Sequence, residues 1–466
     1  MIKFLKAFEV ALASAVLFAS CASTQVDGSE TGAKVKKIKY EKTAFDSAFA
    51  AGNYDVCLGM LATRKEDAVL NGVDTYMIQY LKKDYPSSGR QINQTQFDMS
   101  QVSNGMTAAK TVQAALAGEN SVDYYGPTYE RMLTYSMKAV NNLKAGSVPG
   151  AKGVMDDFTG NYKTEIADLI QQQKEADAAN YDDNTRAVRE SLAMANIRFD
   201  TSAIKSPEGS SKTYENSAFL SYLGTLIYSA YGDKTHASDF EKVLRNLNPN
   251  IDVSEDISVP AGKGRLDVIA LTDLIGKRSE YSTGLVPVFN TNMINVNFKI
   301  TYPVFLVQNH NISVSRVTLS NGLSKKFVLI EDFDKAVELD VLSRQKGAYN
   351  RSLTRNFIKN GTAVASASVA LKHGGFPAQA AAIVVNKAMI KFVDMEKADI
   401  RQGAYFPNKA SAAGFTVAPG TYSVVVEYSD GTKDEINNVV VEAGKPTIVI
   451  SENMNKISVA DNANAK

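Results

Sequence analysis

Two cysteines, three histidines and a few short acid–base pairs are the groups in this sequence that could do chemistry. A cysteine reacts as the thiolate, so its surroundings decide its use. Cys57 falls inside the apolar pattern Phe45, Phe49, Tyr54, Leu58, Leu61, which predicts a small buried core residue on one side of a helix. His236, His310 and His373 lie in three separate segments, too scattered to suggest a zinc hydrolase or a histidine-based triad. His373, just before Gly374-Gly375, reads as the end of a helix, where a cation suits the dipole. Ser343-x-x-Lys346 has the spacing that puts a lysine one helical turn from a serine nucleophile. It lies in a charged stretch with no Lys-Thr-Gly after it, and so reads as a solvated helix face. Asp399 and Arg401 occupy alternate positions of an extended segment, the spacing of a structural ion pair. Asp430, Asp434 and Glu435 offer carboxylates without the ordered oxygen spacing of a calcium loop. No His-Glu-x-x-His, Gly-x-Ser-x-Gly or phosphate-binding glycine loop occurs. The expectation is a non-enzymatic chain with no catalytic residues, no metal site and no cofactor.

Cys21 differs in its setting. Lys3 and Lys6 make a basic start, Val10 to Phe18 is mostly apolar, and Ala19 and Ser20 are small. Together they read as an export signal, too short to span a bilayer as a helix. Phe18-Ala19-Ser20-Cys21 resembles the bacterial lipobox, with Phe18 where the usual pattern has Leu or another aliphatic. The resemblance implies a lipoprotein signal peptide over 1–20 and lipid attachment at Cys21, palmitate being among the acyl chains such cysteines carry. Anchoring of that kind holds a protein on a membrane surface. Ala22 and Ser23 follow, not the aspartate that resembles an inner-membrane retention signal in enteric bacteria. The outer membrane is therefore favoured, with the chain facing the periplasm or the exterior. Residues 21–42, with Gly28, Gly32 and Lys34, Lys36, Lys37 and Lys39, read as a flexible tether. Its lysines could touch anionic headgroups at roughly 1 kcal/mol each. An acylated Cys21 leaves Cys57 no disulfide partner in the chain.

The 466 residues are 44% hydrophobic and 22% charged, long enough for two or three domains with real cores. Without the first 20 residues, which hold Lys3, Lys6 and Glu9, the balance is 49 basic to 49 acidic side chains. That argues against a nucleic-acid partner, which calls for a basic surplus gathered on one face. No later stretch reaches about 18 uninterrupted apolar residues. Phe376 to Val393 comes nearest, but Gln379, Asn386, Lys387 and Lys391 break it into an amphipathic core helix.

The elements divide at about residue 250. From 43 to 250 apolar residues recur at three- and four-residue spacing, predicting a helical, repeat-like domain. Three segments share the plan of a helix, a closing glycine and a second helix: Ala44 to Tyr54, Tyr129 to Gly146 and Ala218 to Asn248-Pro249. They look like degenerate tetratricopeptide units, in which small residues such as Ala218 and Gly224 bring helices close while Leu223, Leu226, Ile227 and Tyr228 fill the seam. Stacked pairs leave either a concave docking groove or a plain bundle. From 251 to 453 the pattern predicts an α/β domain. Ile251–Pro260 reads as a polar connection and Arg265–Ile275, with the apolar run Leu266, Val268, Ile269 and Leu271, as a strand, with further strands at 286–289, 294–300 and 312–319. Helices follow at 332–346, 349–372 and 376–397, the last two as a hairpin over a sheet. The segment ends with strands around the Asp430-Gly431 hairpin turn. Residues 454–466 are a polar tail.

The motifs Tyr125-Gly126, Tyr129-Glu130, Leu133, Ala218-Phe219, Leu223-Gly224, Gly232-Asp233, Gly262-Lys263-Gly264, Tyr302-Pro303-Val304-Phe305, Asp399-Ile400-Arg401, Phe406-Pro407 and Pro419-Gly420-Thr421-Tyr422 occur in that order. Together they resemble a family of uncharacterised bacterial lipoproteins with a tetratricopeptide-like N-terminal half and an α/β C-terminal half. In that family an aromatic residue, usually Trp, follows the Asp-x-Arg pair, where this chain has Gly403-Ala404-Tyr405 and no Trp. The resemblance implies the α+β fold class and an envelope location, and no activity. The expected function is a membrane-anchored scaffold that docks an envelope protein on its helical array. The alternative is a cell-wall accessory factor touching peptidoglycan or a peptidoglycan synthase.

Overall fold

Strand β1 (Gly264–Leu274) is buried at every residue, because it is covered on both faces; such strands read as apolar runs. It lies second in a four-stranded sheet ordered β12 (Pro446–Asn453), β1, β9 (Pro407–Val417) and β8 (Val328–Asp332). It runs parallel to β12 and antiparallel to β9. Ile269 and Leu271 enter a core shared with the helices. Leu266 and Val268, on the opposite side, meet a second sheet ordered β11 (Lys433–Val441), β10 (Gly420–Tyr428), β6 (Val314–Leu319) and β7 (Ser324–Lys326). Helices, central sheet and outer sheet therefore stack as three layers, an α+β architecture. The computed structural model describes residues 37–65, 67–104, 118–162, 164, 166–171, 214–284, 286–290, 295–306, 310–373 and 393–454.

The helical layer is built from pairs: α1 (Lys42–Ala50) with α2 (Tyr54–Leu61), α3 (Ala68–Leu81) with α4 (Tyr85–Asn104), α5 (Thr128–Lys144) with α6 (Val148–Asp157), and α7 (Ala218–Tyr231) with α8 (Lys234–Leu247). The three helix–glycine–helix segments of the sequence are the first, third and fourth. Each turns at a glycine with positive φ, Gly52 at 70°, Gly146 at 76° and Gly232 at 90°, where an L side chain would be strained. A Cβ on Gly224 would lie 2.5 Å from the Phe240 ring, so this glycine sets the approach of α7 to α8. Leu223, Leu226, Ile227 and Tyr228 are all essentially buried, and Tyr228 stacks on His236 and Phe240 of α8. Among the described residues the inner face of the pairs is packed on the central sheet. α7 is buried along nearly its whole length, and its side chains join Ile330, Ala412 and Ile450 of the central sheet in one core. Described residues on both sides of residue 250 share this core, and those from Lys37 on belong to one compact unit. No described helix is long and apolar enough to cross a membrane.

The helices read at 332–346 and 349–372 are one helix, α10 (Phe333–His373), which continues through Gly347. It spans the small sheet of β2 (Lys277–Ser282) and β5 (Thr301–Leu306), where Pro303 stands opposite Glu280 on a two-stranded edge. Its Ser352 and Asn356 hydrogen-bond the main chain of Thr301 and Lys299 at 2.8–3.0 Å. A second two-stranded sheet joins β3 (Val286–Asn290) to β4 (Asn295–Phe298). The Ile251–Pro260 connection contains a short helix, α9 (Ser254–Ile257), whose Asp256 is buried against Arg265 at 2.8 Å. Pro419-Gly420 carries the chain from the central sheet into the outer one. The signal segment, Cys21, most of the tether, the helix read at 376–397 up to residue 392, and the tail from 455 lie outside the described residues. The tether's last residues, from Ile38, are seated on the body. The Ile38 amide donates to the Gly59 carbonyl and the Tyr40 amide to Thr63 Oγ1, both at 2.9 Å.

Candidate functional site

Asp399 and Arg401 form the expected ion pair, two-pronged at 2.8 and 2.9 Å, and belong to a strap, residues 398–406, that ties the helices to the sheet. Arg401 reaches Asp67 at 2.7 Å and the Val122 carbonyl at 3.0 Å, and lies over the Tyr124 ring. Gln402 brackets the start of β2, donating to the Gly276 carbonyl and accepting from the Arg278 amide. The Gly403 amide donates to Glu130 and the Ala404 amide to Asp74. Tyr405 inserts between Phe45 and Phe49, and Phe406 meets Tyr76. A Cβ on Gly403 would lie 2.5 Å from Val73, so no larger residue fits there. The strap thus brings Tyr129-Glu130 and Asp399-x-Arg401, far apart in sequence, to one place.

Glu130 is fully buried in this seam. Its Oε1 accepts from Tyr124 Oη at 2.6 Å, Tyr129 Oη at 3.1 Å and the Gly403 amide at 2.8 Å. Burial pushes its carboxyl up to about 7, against the lowering pull of these bonds and of Arg278. Arg278 pairs with Asp340 and lies over the Tyr129 ring. Burial pushes Asp340 up to about 6. The adjoining cavity, lined by Tyr125, Thr128, Asp340, Ser343 and Arg344, holds only about 30 Å³, room for one water. Among the described residues the seam is closely packed and works as a lock between helices and sheet. Ser343 lines that cavity and donates to the Asp340 carbonyl within its own helix.

The other singled-out groups lie apart from this seam. The Cys57 thiol is buried, and burial pushes it up to about 11. His236 meets Asp233 at 2.7 Å at the start of α8. His310 binds Asp334 at 2.6 Å, whose other oxygen accepts the Gly276 amide. Asp430 accepts from the Thr432 amide and hydroxyl inside the hairpin turn.

An open feature among the described residues lies at the β12 edge of the central sheet. The C-terminal ends of α3 and α5, strand β11 and the outer edge of β12 enclose a groove of about 590 Å³. Leu81, Lys83, Leu143 and Lys144 form the helical wall, Asp434, Glu435 and Ile436 the facing one, and Ile448, Ile450 and Glu452 the strand edge. Lys144 Nζ donates to the Ile450 carbonyl and pairs with Glu452, each at 3.2 Å; Tyr80 Oη donates to Glu452 at 3.1 Å. Asp434 accepts from Ser451 at 2.6 Å. Of these residues sequence reasoning singled out only Asp434 and Glu435, and for a different chemistry, because a groove between two strand edges is a product of tertiary packing. The arrangement offers main-chain hydrogen-bonding groups beside paired and unpaired charges, the makings of a peptide-binding surface. No family model, curated protein or solved structure matches this chain.

Proposed function

We propose that the protein is a non-enzymatic, lipid-anchored lipoprotein of the bacterial cell envelope, held at the outer membrane through Cys21, whose folded body docks another envelope protein. The open groove beside the β12 edge, which no strand pairs among the described residues, is the observation that carries the docking part. The lipobox-like Phe18-Ala19-Ser20-Cys21 supports the placement. The inner face of the helical layer is spent on the central sheet, so the docking surface moves from the array to the groove. The tightly bonded strap from Ala398 to Phe406 keeps the groove's helical and sheet walls fixed, and a preformed surface loses little entropy on binding.

Three measurements test this reading. Wild-type protein should take up labelled fatty acid and fractionate with membranes, while Cys21→Ser should do neither. Cross-linked envelopes should return a reproducible protein partner, and the absence of one overturns the docking role. Purified protein should remain in the supernatant with isolated sacculi; sedimentation with them would favour the cell-wall alternative.

A further inference from the structure

Strand β12 ends the central sheet, and among the described residues no strand pairs with its outer side. Both main-chain groups of a strand residue point to the same side, and sides alternate with a period of two. The Ile450 carbonyl takes Lys144 from the groove, so the main-chain groups of Ile448, Ile450 and Glu452 face the groove. That edge is about 16 Å long at the usual strand rise, the span of a short extended peptide.

The charges select the occupant. Asp434, Glu435 and Glu452 stand around the edge against Lys83 and Lys144, and Lys144 is already held by Glu452 and the Ile450 carbonyl. α3 and α5 both end here, presenting the negative ends of their dipoles. We propose that the groove takes an extended, basic segment of a partner protein, added beside β12 as a fifth strand of the central sheet, with a lysine or arginine against Glu435. Main-chain bonds to Ile448, Ile450 and Glu452 hold the segment, and the acidic wall chooses it. Lys144 is the built-in competitor, blunting the edge when no partner is bound. This rests on the docking reading above and names the class of its partner.

The test uses the full chain in detergent and fluorescent peptides of about ten residues. One alternates valine and lysine, one replaces lysine by glutamate, and one is the lysine peptide N-methylated at alternate residues. The lysine peptide should bind at least about tenfold tighter than either of the others. Its binding should slow amide exchange at Ile448, Ile450 and Glu452. Exposed Glu435→Lys should weaken it several-fold, and Lys144→Met should tighten it. Equal binding of the N-methylated peptide, protection elsewhere than β12, or no binding overturns the proposal. So does a chain ending at Met454 that binds about tenfold tighter than the full one, since the groove's occupant would then be the protein's own tail. The two levels separate in cross-linked envelopes. If Glu435→Lys keeps the wild-type partners, this inference falls and the docking role stands; if wild type has none, the docking role itself falls.

Discussion

Glu130 holds its proton across a range in which a solvated glutamate has lost it. The groups facing it are Tyr124, Tyr129, the Gly403 amide and Arg278, itself paired with Asp340. A carboxyl whose folded value lies above its unfolded one contributes stability that is complete below the unfolded value and is lost as pH rises through the folded one. With the value raised from 4.5 to about 7, the loss runs between those pH limits and amounts to about 3 kcal/mol. Asp340, raised from 3.8 to about 6, adds a loss of the same sign in a lower window. Glu130→Gln keeps a neutral group of the same shape, so urea unfolding followed from pH 5 to 8 should show a flatter fall in the variant. It should also be the more stable of the two at pH 8, and parallel curves would refute the assignment. Cys57 gives a second residue-scale expectation. In Cys21→Ser it is the sole thiol, and burial with its value near 11 should keep a maleimide from labelling the native chain within an hour, while urea should expose one thiol per chain. The burial of Cys57 and the Asp399–Arg401 pair were legible because neighbours in sequence set them. The state of Glu130 was not, because its environment arrives with Gly403, 273 positions away.

Among the elements, local patterning carried far. The glycine-closed helix pairs, the apolar run of β1 and the Asp430-Gly431 hairpin follow from period and turn chemistry alone. Pairing and continuity did not follow. Gly347 costs about 1 kcal/mol inside a helix, which reads as a break. Packing of Val341, Ala348, Tyr349 and Leu353 on either side of it holds α10 together. Pro419-Gly420 reads as a turn between two strands, but the sequence does not tell that the strands belong to different sheets; the turn passes the chain between them, with Phe415 and Val417 facing the same core as Val424 and Val426. The close approach of α7 to α8 gives the prediction for this scale. Gly224→Ala places a methyl against the Phe240 ring and should destabilise by about 1–3 kcal/mol, read from urea midpoints. Phe240→Leu in the same chain should return part of that loss. If the two substitutions simply add, the glycine is not there for the ring.

On the scale of the whole molecule, the central sheet is the element that neither layer can do without. Its two faces hold different cores: Ile269, Leu271, Ala412 and Ile450 lie with the helices, while Leu266, Val268, Phe415 and Val449 lie with the outer sheet. Sequence patterning separates a helical half from a sheet half at residue 250, yet the strap and the shared core bind them into one unit from Lys37 on. A solenoid of helix pairs would fold without its neighbour, since each repeat is covered by the next. These pairs are covered by the sheet. Residues 37–250 expressed alone would expose Phe45, Phe49 and Tyr76, whose partners are Tyr405 and Phe406, and would leave Glu130 without the Gly403 amide. The fragment should bind a hydrophobic dye and lack a cooperative thermal transition, while the full chain should lose helix and tyrosine environment together in one transition. A fragment that melts cooperatively and leaves the dye dark would show that the helices fold as a solenoid after all, and that the strap joins two domains rather than completing one.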